Sequence, residues 1–277
     1  MNHIYSLLDV ILPFEWLSYD FMKNAFLAVL LITPIFGILG TIIVNNRMAF
    51  FSDALGHGAF TGIAIGSVIG FIQPIWSAII FSIGFSILIT IIKNKTKTST
   101  DTVIGVFSSA AIAIGLVLVT SGGYNYNSYL VGDLLSISPK EVGALFILAL
   151  IIIVLWILFY NKVLLVSVNI SLARSRGINT LGVELAFTAI IAVAVTIVIQ
   201  WVGLLIINSL LVLPAAAARN VSSNARQYNV MAILISFVSG LIGLILSYYL
   251  DTATGATIVI ISAFIYFITL ILRKRFA

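Results

Sequence analysis

Apolar runs of about 20 residues alternate with short polar stretches along nearly the whole chain. A helix needs roughly 20 apolar residues to cross the hydrocarbon core of a bilayer, and a backbone in lipid must form its hydrogen bonds internally, which favours helix. The pattern therefore predicts an all-α, polytopic helical bundle of about nine transmembrane segments, or about eight to ten if one run is misassigned. These segments lie at residues 25–45, 49–71, 74–92, 103–120, 142–160, 183–200, 203–218, 229–249 and 256–272.

The apolar stretch at 183–218 is too long for a single crossing. We expect it to break at Gln200, Trp201 and Gly203 into a tight hairpin of two helices. Pro214 lies within the second arm. It should kink that helix or end it early, because proline lacks an amide donor and its ring clashes with the preceding turn.

The N-terminal residues lack the basic region with which a cleaved secretion signal begins. Aromatic residues such as Tyr5, Trp16 and Tyr19 are mixed with apolar ones here, which is typical of the headgroup level of a membrane. We expect residues 1–24 to form an interfacial segment. The whole chain, 1–277, is predicted to be a single transmembrane domain.

The composition supports a membrane protein and excludes several other classes. The chain is 61% hydrophobic and only 8% charged, whereas soluble domains carry about 25% charged residues. The absence of cysteine excludes disulfides and thiolate metal sites. The net charge of +5 is explained by basic loops, and the chain has no basic and aromatic patch of the kind that binds nucleic acid. We therefore expect no nucleic-acid partner.

Basic residues predict the orientation, because lysine and arginine collect in the cytoplasmic loops of membrane proteins. With the N-terminus outside, 12 of the 14 basic residues are cytoplasmic and only Lys23 and Lys140 lie outside. We therefore predict an N-out, C-in topology. The loop from Tyr124 to Pro139 then lies outside, and its short apolar piece is expected to form a re-entrant or surface helix. The cytoplasmic set is Arg47, Lys93, Lys95, Lys97, Lys162, Arg174, Arg176, Arg219, Arg226, Arg273, Lys274 and Arg275.

The second predicted segment carries two stripes of residues at a spacing of four. Residues four apart lie on the same face of a helix. The first stripe consists of Gly58, Gly62, Gly66 and Gly70. A face of small residues lets another helix approach closely, so this glycine stripe is interpreted as a packing surface. The second stripe, displaced by one position, consists of Asp53, His57 and Thr61.

Asp53 and His57 form an unusual pair, since ionisable residues inside a membrane span are costly and rare. One turn apart, their Cβ atoms lie about 5–6 Å from each other, and a carboxylate with a neutral imidazole can bind one divalent transition ion. The alternative is structural: Asp53 caps the helix N-terminus and its carboxylate satisfies His57. The residues alone leave both interpretations open.

The chain lacks a phosphate-binding loop of the form GxxxxGK[ST], so it cannot hydrolyse ATP by that route. It also lacks a Ser-His-Asp or paired-carboxylate catalytic arrangement. We therefore do not expect an enzyme.

The longest predicted cytoplasmic loop spans residues 161–182. Its middle, Ile170–Ser175, is expected to form a short surface helix that ends near Gly177, where glycine can adopt the left-handed conformation. Arg174 and Arg176 lie beside this end. The loop is either a basic segment that follows the charge rule or a docking helix for a soluble motor subunit.

Four stretches, in order, resemble the manganese/zinc/iron-type permeases of bacterial ABC importers. Two carry the main signatures: FFSDALGHGAFTGIAIG in the second segment and VGLLIINSLLVLPAAAARN at 202–220. YLVGDLLSIS at 129–138 and ARSRGIN at 173–179 fall between them in the expected order. The resemblance extends from about Asn24 to Arg273.

This resemblance implies a type II-like metal-uptake permease that works as a homodimer in the bacterial cytoplasmic membrane. The implied partners are two copies of a separate ABC ATPase, an extracytoplasmic metal-binding protein and membrane lipid. Asp53 and His57 are implied to contact the transported ion, so two copies supply two carboxylates and two imidazoles, and no cofactor is permanently bound. The implied ATPase-coupling residues are Ala173, Arg174, Arg176 and Gly177.

Thr61 and Asn208 are candidates to line the pathway, although polar helix packing explains Asn208 equally well. Gly56 and Gly58 flank His57 where many relatives have serine and alanine, which should loosen the helix locally. The LPAAAARN form of the seventh segment is closer to the zinc branch. Zinc is therefore the expected cargo, with manganese and iron as alternatives.

Two other functions stay open at this point. A gradient-driven secondary metal transporter or channel also uses intramembrane aspartate and histidine. A membrane subunit without a transport role would use neither residue as a ligand. The dependence of metal uptake on ATP distinguishes these functions.

Overall fold

The computed structural model describes residues 5–6, 8, 12, 14–70, 73–96, 98–122 and 132–273. Within the described part of 14–273 the protein forms ten α-helices and two short 3-10 turns, at Glu15–Leu17 and Leu134–Ser136, and no strand. The helices are α1 (Asp20–Asn45), α2 (Phe51–Ile69), α3 (Pro74–Lys95), α4 (Thr100–Gly122), α5 (Pro139–Val168), α6 (Ile170–Ser175), α7 (Thr180–Val202), α8 (Leu204–Val221), α9 (Ala225–Leu250) and α10 (Thr254–Leu272).

Some predictions fall on residues outside the described ranges. These are Lys97, Lys274, Arg275, residues 124–131 of the predicted external loop, including the first three of YLVGDLLSIS, and residues 1–4, 7, 9–11 and 13 of the predicted interfacial segment.

The described end of that loop leads into α5 through a capping box. The Ser138 amide donates to Oε2 of Glu141 at 2.7 Å, and the Glu141 amide donates to Oγ of Ser138 at 3.4 Å. Pro139 occupies the first helical position, where a missing amide hydrogen costs nothing. Ser138 and Pro139 therefore mark the start of α5.

Each predicted segment corresponds to one long helix of the described chain. Seven of these helices are long and apolar enough to cross a membrane. The two that are not among the seven are α2 and α8, which carry the candidate polar residues Asp53, His57 and Asn208. The prediction of about nine spans is therefore confirmed only in part. In α2, Asp53, His57 and several glycines lower the hydropathy on which the assignment of a span depends.

The long apolar stretch breaks at one residue. α7 ends at Val202, α8 begins at Leu204, and Gly203 between them has φ +85° and ψ 154°, a backbone conformation that a side chain disfavours. Pro214 lies inside α8, which continues to Val221. The expectation that α8 ends early at Pro214 is therefore wrong. The residues beyond it are held by packing, since Ala217 and Ala218 belong to a buried apolar cluster with Tyr228, Ala232 and Ile235.

The chain divides into two compact units. The first comprises residues 1–41, 132–153 and 209–277. In it, close approach of α1 and α9 requires a small residue: a Cβ built on Gly240 would lie 2.6 Å from Cγ2 of Thr33. The hydroxyl of Ser236 on α9 donates to the Thr33 carbonyl at 2.7 Å. Small and hydroxyl-bearing residues thus hold these helices together, as is common within membranes.

The second unit comprises residues 42–131 and 154–208 and contains most of the candidate site residues. Its centre is α2, which packs against α3, α4 and α7. A Cβ built on Gly62 would lie 2.7 Å from the Cα of Ala78, and one built on Gly58 would lie 2.9 Å from Cδ1 of Phe85. These two glycines therefore lie at the contact with α3.

Gly70 differs from the other glycines of the stripe. It is the C-cap of α2 in the left-handed conformation, with φ +85°, and a Cβ built on it would meet nothing within 4 Å. The interpretation of Gly70 as a packing residue is therefore wrong. It ends the helix because glycine adopts this conformation without steric cost. Gly66 is buried within the helix.

Candidate metal site on α2

The first half of α2 is buried except along one face. From residue 51 to residue 61, every residue is buried but Asp53, His57 and Phe60. Spacings of four and three place these residues on the same side of the helix. The accessible face of this half-helix therefore carries a carboxylate, an imidazole and an aromatic ring.

Asp53 and His57 are spaced as two ligands of one ion. Oδ2 of Asp53 lies 3.6 Å from Nε2 of His57, and the two side chains are 34% and 20% exposed. This distance is too long for a hydrogen bond. Two ligands of a tetrahedral zinc ion, each about 2.0–2.2 Å from the metal, lie roughly 3.3–3.6 Å apart. One ion can therefore contact both donor atoms without a large rearrangement.

Asp53 does not act as the N-cap of α2. The N-cap residue is Phe50, and no side chain caps the first turn through a hydrogen bond. Asp53 lies within that turn, where the positive end of the helix dipole favours a negative charge. The capping part of the structural alternative is therefore wrong, whereas the contact between His57 and the carboxylate is present.

Ser52 links α2 to the start of α8. Its hydroxyl donates a 2.6 Å hydrogen bond to Oδ1 of Asn208, a residue 156 positions away in the sequence. Ser52 is buried and Asn208 is half-buried. The structure thus brings Asn208 next to the residue preceding Asp53. Sequence reasoning assigned no role to Ser52, because no local pattern relates two positions so far apart.

The Thr61 hydroxyl contributes to helix packing. It donates to the carbonyl oxygen of Ala111 on α4 at 2.6 Å and lies 3.0 Å from the carbonyl oxygen of His57, and the side chain is fully buried. Gly115, one turn further along α4, leaves room for this contact, since a Cβ built there would lie 2.9 Å from Oγ1 of Thr61. A pathway role for Thr61 stays a prediction.

Two ligands do not make a complete metal site. Across the part of the chain that the structure describes, no group of three or more histidine, cysteine, aspartate or glutamate residues is close enough to hold an ion. Zinc sites usually have four ligands, or three with one open position. To hold an ion firmly, the pair on α2 would need donors from elsewhere.

The short loop helix occurs where the sequence predicts it, as α6 over Ile170–Ser175. Asn169 is its N-cap, and Oδ1 of Asn169 accepts the Leu172 amide hydrogen at 2.9 Å. Gly177 follows in the left-handed conformation, with φ +73°. The local signals for this helix, a polar cap and a terminal glycine, are therefore sufficient to define it.

The surface of α6 is basic. Ala173 is fully buried and anchors the helix, whereas Arg174 and Arg176 are exposed. An open pocket of about 430 Å³ adjoins the end of α6, and its charged lining residues are Arg176 and Lys162. The segment thus presents guanidinium groups suited to an anionic partner surface.

Glu184 is a largely buried residue whose contacts the sequence did not reveal. At the start of α7, its Oε1 accepts a 3.0 Å hydrogen bond from Nζ of Lys93 and its Oε2 accepts a 2.6 Å bond from Nδ2 of Asn94. The side chains of Lys93 and Glu184 are only 15% and 12% exposed. No local pattern in the sequence reveals this ion pair, because it depends on how α3 and α7 pack.

Known proteins resemble the chain over almost its full length. The sequence model of the ABC 3 transport family matches residues 18–273. The high-affinity zinc uptake system membrane protein of Haemophilus influenzae is 30% identical over 260 residues, which cover 93% of this chain and 99% of that protein. The manganese transport system membrane protein of Listeria monocytogenes is 27% identical over 261 residues, which cover 94% and 93%.

A solved structure supports the fold. The structure described as PsaBC from Streptococcus pneumoniae in complex with Fab contains a chain that superposes with a TM-score of 0.80 at 22% sequence identity. The superposition covers 97% of this chain and 95% of that one. The helical arrangement is therefore one that is known in a solved structure.

Proposed function

The chain belongs to the ABC 3 transport family, and on that premise we propose that it is the membrane-spanning permease subunit of an ATP-driven importer for a divalent transition metal. The observation that carries the proposal is the Asp53–His57 pair, spaced at 3.6 Å on the accessible face of an otherwise buried half-helix. Two relatives, one a zinc uptake protein and the other a manganese transport protein, support the same class of cargo.

The functional form is a homodimer. One chain supplies one carboxylate and one imidazole, and two chains related by a twofold axis supply two of each, enough for a four-ligand site. In a transporter such a site must bind the ion firmly enough to accept it and weakly enough to release it. Ligands divided between two chains meet this need, because a relative movement of the chains changes the site.

The transport cycle proceeds by alternating access. An extracytoplasmic metal-binding protein delivers the ion, two copies of an ABC ATPase bind and hydrolyse ATP, and the pathway switches from outward to inward exposure. The chain lies in the bacterial cytoplasmic membrane with its N-terminus outside and its C-terminus inside, as the distribution of basic residues favours. In this orientation α6 faces the ATPase.

Zinc is the proposed cargo. The separation of Oδ2 and Nε2 agrees with tetrahedral zinc geometry, and oxygen with imidazole nitrogen also suits manganese and iron. An uptake assay in which zinc and manganese compete tests whether zinc is the preferred cargo.

The experiment that tests the function is reconstitution into vesicles together with the ATPase and the binding protein of the same importer. Uptake of radioactive zinc or manganese that requires both ATP and the binding protein is the expected result. Uptake that persists without ATP and follows an ion gradient would instead establish a secondary transporter. Absence of any metal flux would exclude a transport role.

Reversing both charges on the α6 segment should separate the permease from its motor. We expect Arg174→Glu with Arg176→Glu to lower co-purification of the ATPase and ATP-dependent uptake by about tenfold or more, because like charges placed across an interface cost several kcal/mol. The matched control is Arg219→Glu with Arg226→Glu, which reverses two other exposed arginines. Equal co-purification of both double variants would contradict the docking role of α6.

A further inference from the structure

The ion pair between Lys93 and Glu184 joins the end of α3 to the start of α7. Both carboxylate oxygens of Glu184 are occupied, one by Lys93 at 3.0 Å and the other by Asn94 at 2.6 Å. With only 15% and 12% of the two charged side chains exposed, the pair is largely withdrawn from water. The contact is therefore directional, since each carboxylate oxygen accepts one hydrogen bond.

Packing alone does not require this pair. Withdrawing two charges from water is costly, and apolar residues of similar volume hold helices together at least as well. One turn further into the same α3–α7 contact, Thr90 and Thr188 make an uncharged hydrogen bond of 3.1 Å and are both buried. The same interface thus contains an uncharged hydrogen bond beside an ion pair whose removal from water is unfavourable. This difference indicates that the charges have a role other than packing.

The pair lies between the two segments that transport must connect. On one side, α7 begins at Thr180, directly after the Gly177 turn that closes α6, and Glu184 lies in the second turn of α7. On the other side, Nζ of Lys93 lies 3.6 Å from Sδ of Met48. Met48 is fully buried in the turn that leads into α2, five positions before Asp53.

We propose that Lys93 and Glu184 are positioning residues that transmit movement of α6 to the first turn of α2, and hence to the metal ligands. The path runs from α6 through the start of α7 to Glu184, then through Lys93 to Met48 and α2. All of its members belong to the second compact unit. This inference rests on the proposed function, since it needs an ATPase that moves α6.

The test measures metal uptake and ATP hydrolysis in the same vesicles, containing the permease with its ATPase and binding protein. In Glu184→Gln and in Lys93→Met, we expect metal transported per ATP hydrolysed to fall about tenfold, within the usual range for a coupling between two sites. Metal binding to the detergent-purified permease should stay within about twofold of wild type. Exchange of the charges in Lys93→Glu with Glu184→Lys should recover part of the ratio.

The matched control is Thr90→Val with Thr188→Val, which removes a polar contact from the same α3–α7 interface and should leave the ratio unchanged. If the charge variants lower uptake and hydrolysis in proportion, as a loss of folded protein would, then Lys93 and Glu184 do not transmit the movement of α6. If a single variant does not accumulate in the membrane, the test uses the double variant Lys93→Glu with Glu184→Lys, because it retains both charges. Failure of wild-type vesicles to take up metal with ATP would instead overturn the proposed function itself.

Discussion

Asp53→Asn and His57→Gln are each expected to abolish ATP-dependent metal uptake, while the permease still inserts and binds its ATPase. Each change keeps the size of the side chain and removes a ligand: a carboxylate becomes a neutral amide, and an imidazole nitrogen is lost. In a homodimer every substitution removes two of the four proposed ligands. Loss of outer-sphere partners alone lowers metal affinity about 10–100-fold, so loss of direct ligands should lower it by more than ~100-fold.

Titration calorimetry with zinc or manganese on the purified permease measures this effect. The wild type should bind one ion for every two chains, and neither variant should show binding at that affinity. Ser67→Ala serves as the control, because it removes a hydroxyl from the same helix. The Ser67 hydroxyl donates a 3.0 Å hydrogen bond to the Ile63 carbonyl. Wild-type uptake by either ligand variant under metal limitation would show that the site lies elsewhere, and one ion for each chain would rule out ligands shared across a dimer.

Gly62→Ala and Gly84→Ala are expected to change stability in opposite directions, although both add one methyl group to a helix. At Gly62 the new Cβ would lie 2.7 Å from the Cα of Ala78 and 2.9 Å from the Cβ of Phe81. Because the contact involves backbone atoms, α2 and α3 must move apart, which lowers the free energy of unfolding by about 1–3 kcal/mol. At Gly84, on α3, a Cβ would meet nothing within 4 Å, and alanine favours helix by up to about 1 kcal/mol.

The thermal unfolding midpoint of detergent-purified protein, followed by size-exclusion chromatography after heating, measures this difference. Gly62→Ala should unfold at a lower temperature than wild type, and Gly84→Ala at the same or a higher one. A larger residue, as in Gly62→Val, should prevent accumulation of folded protein. Equal midpoints for the two alanine variants would mean that α2 and α3 do not pack as closely as described.

Local features of the chain follow from its sequence. The positions of the long helices, the short helix α6 with its Asn169 cap, and the break at Gly203 all depend on residues near one another. Periodicity and capping are properties of a few successive residues, so a linear pattern contains them. The same holds for the spacing of Asp53 and His57, since residues four apart on a helix are always neighbours.

Membrane helices with polar residues are where the linear pattern becomes less reliable. Hydropathy counts every polar residue against a span, and α2, which contains Asp53 and His57, is not among the seven helices that qualify by length and composition. The end of α2 shows a second limit. Gly70 continues the glycine spacing of the stripe but lies at the C-cap, where a Cβ built on it would meet nothing within 4 Å.

By itself, the amino-acid sequence determined an all-helical membrane protein, the helix that carries a carboxylate and an imidazole one turn apart, and the basic segment around α6. Only the tertiary structure decided which residues meet across helices: Ser52 with Asn208, Thr61 with the Ala111 carbonyl, and Glu184 with Lys93. The physical reason is that helical periodicity is local, whereas a hydrogen bond or ion pair between helices depends on their relative rotation and register. In an apolar chain, many such arrangements bury similar surface, and the few polar side chains distinguish them.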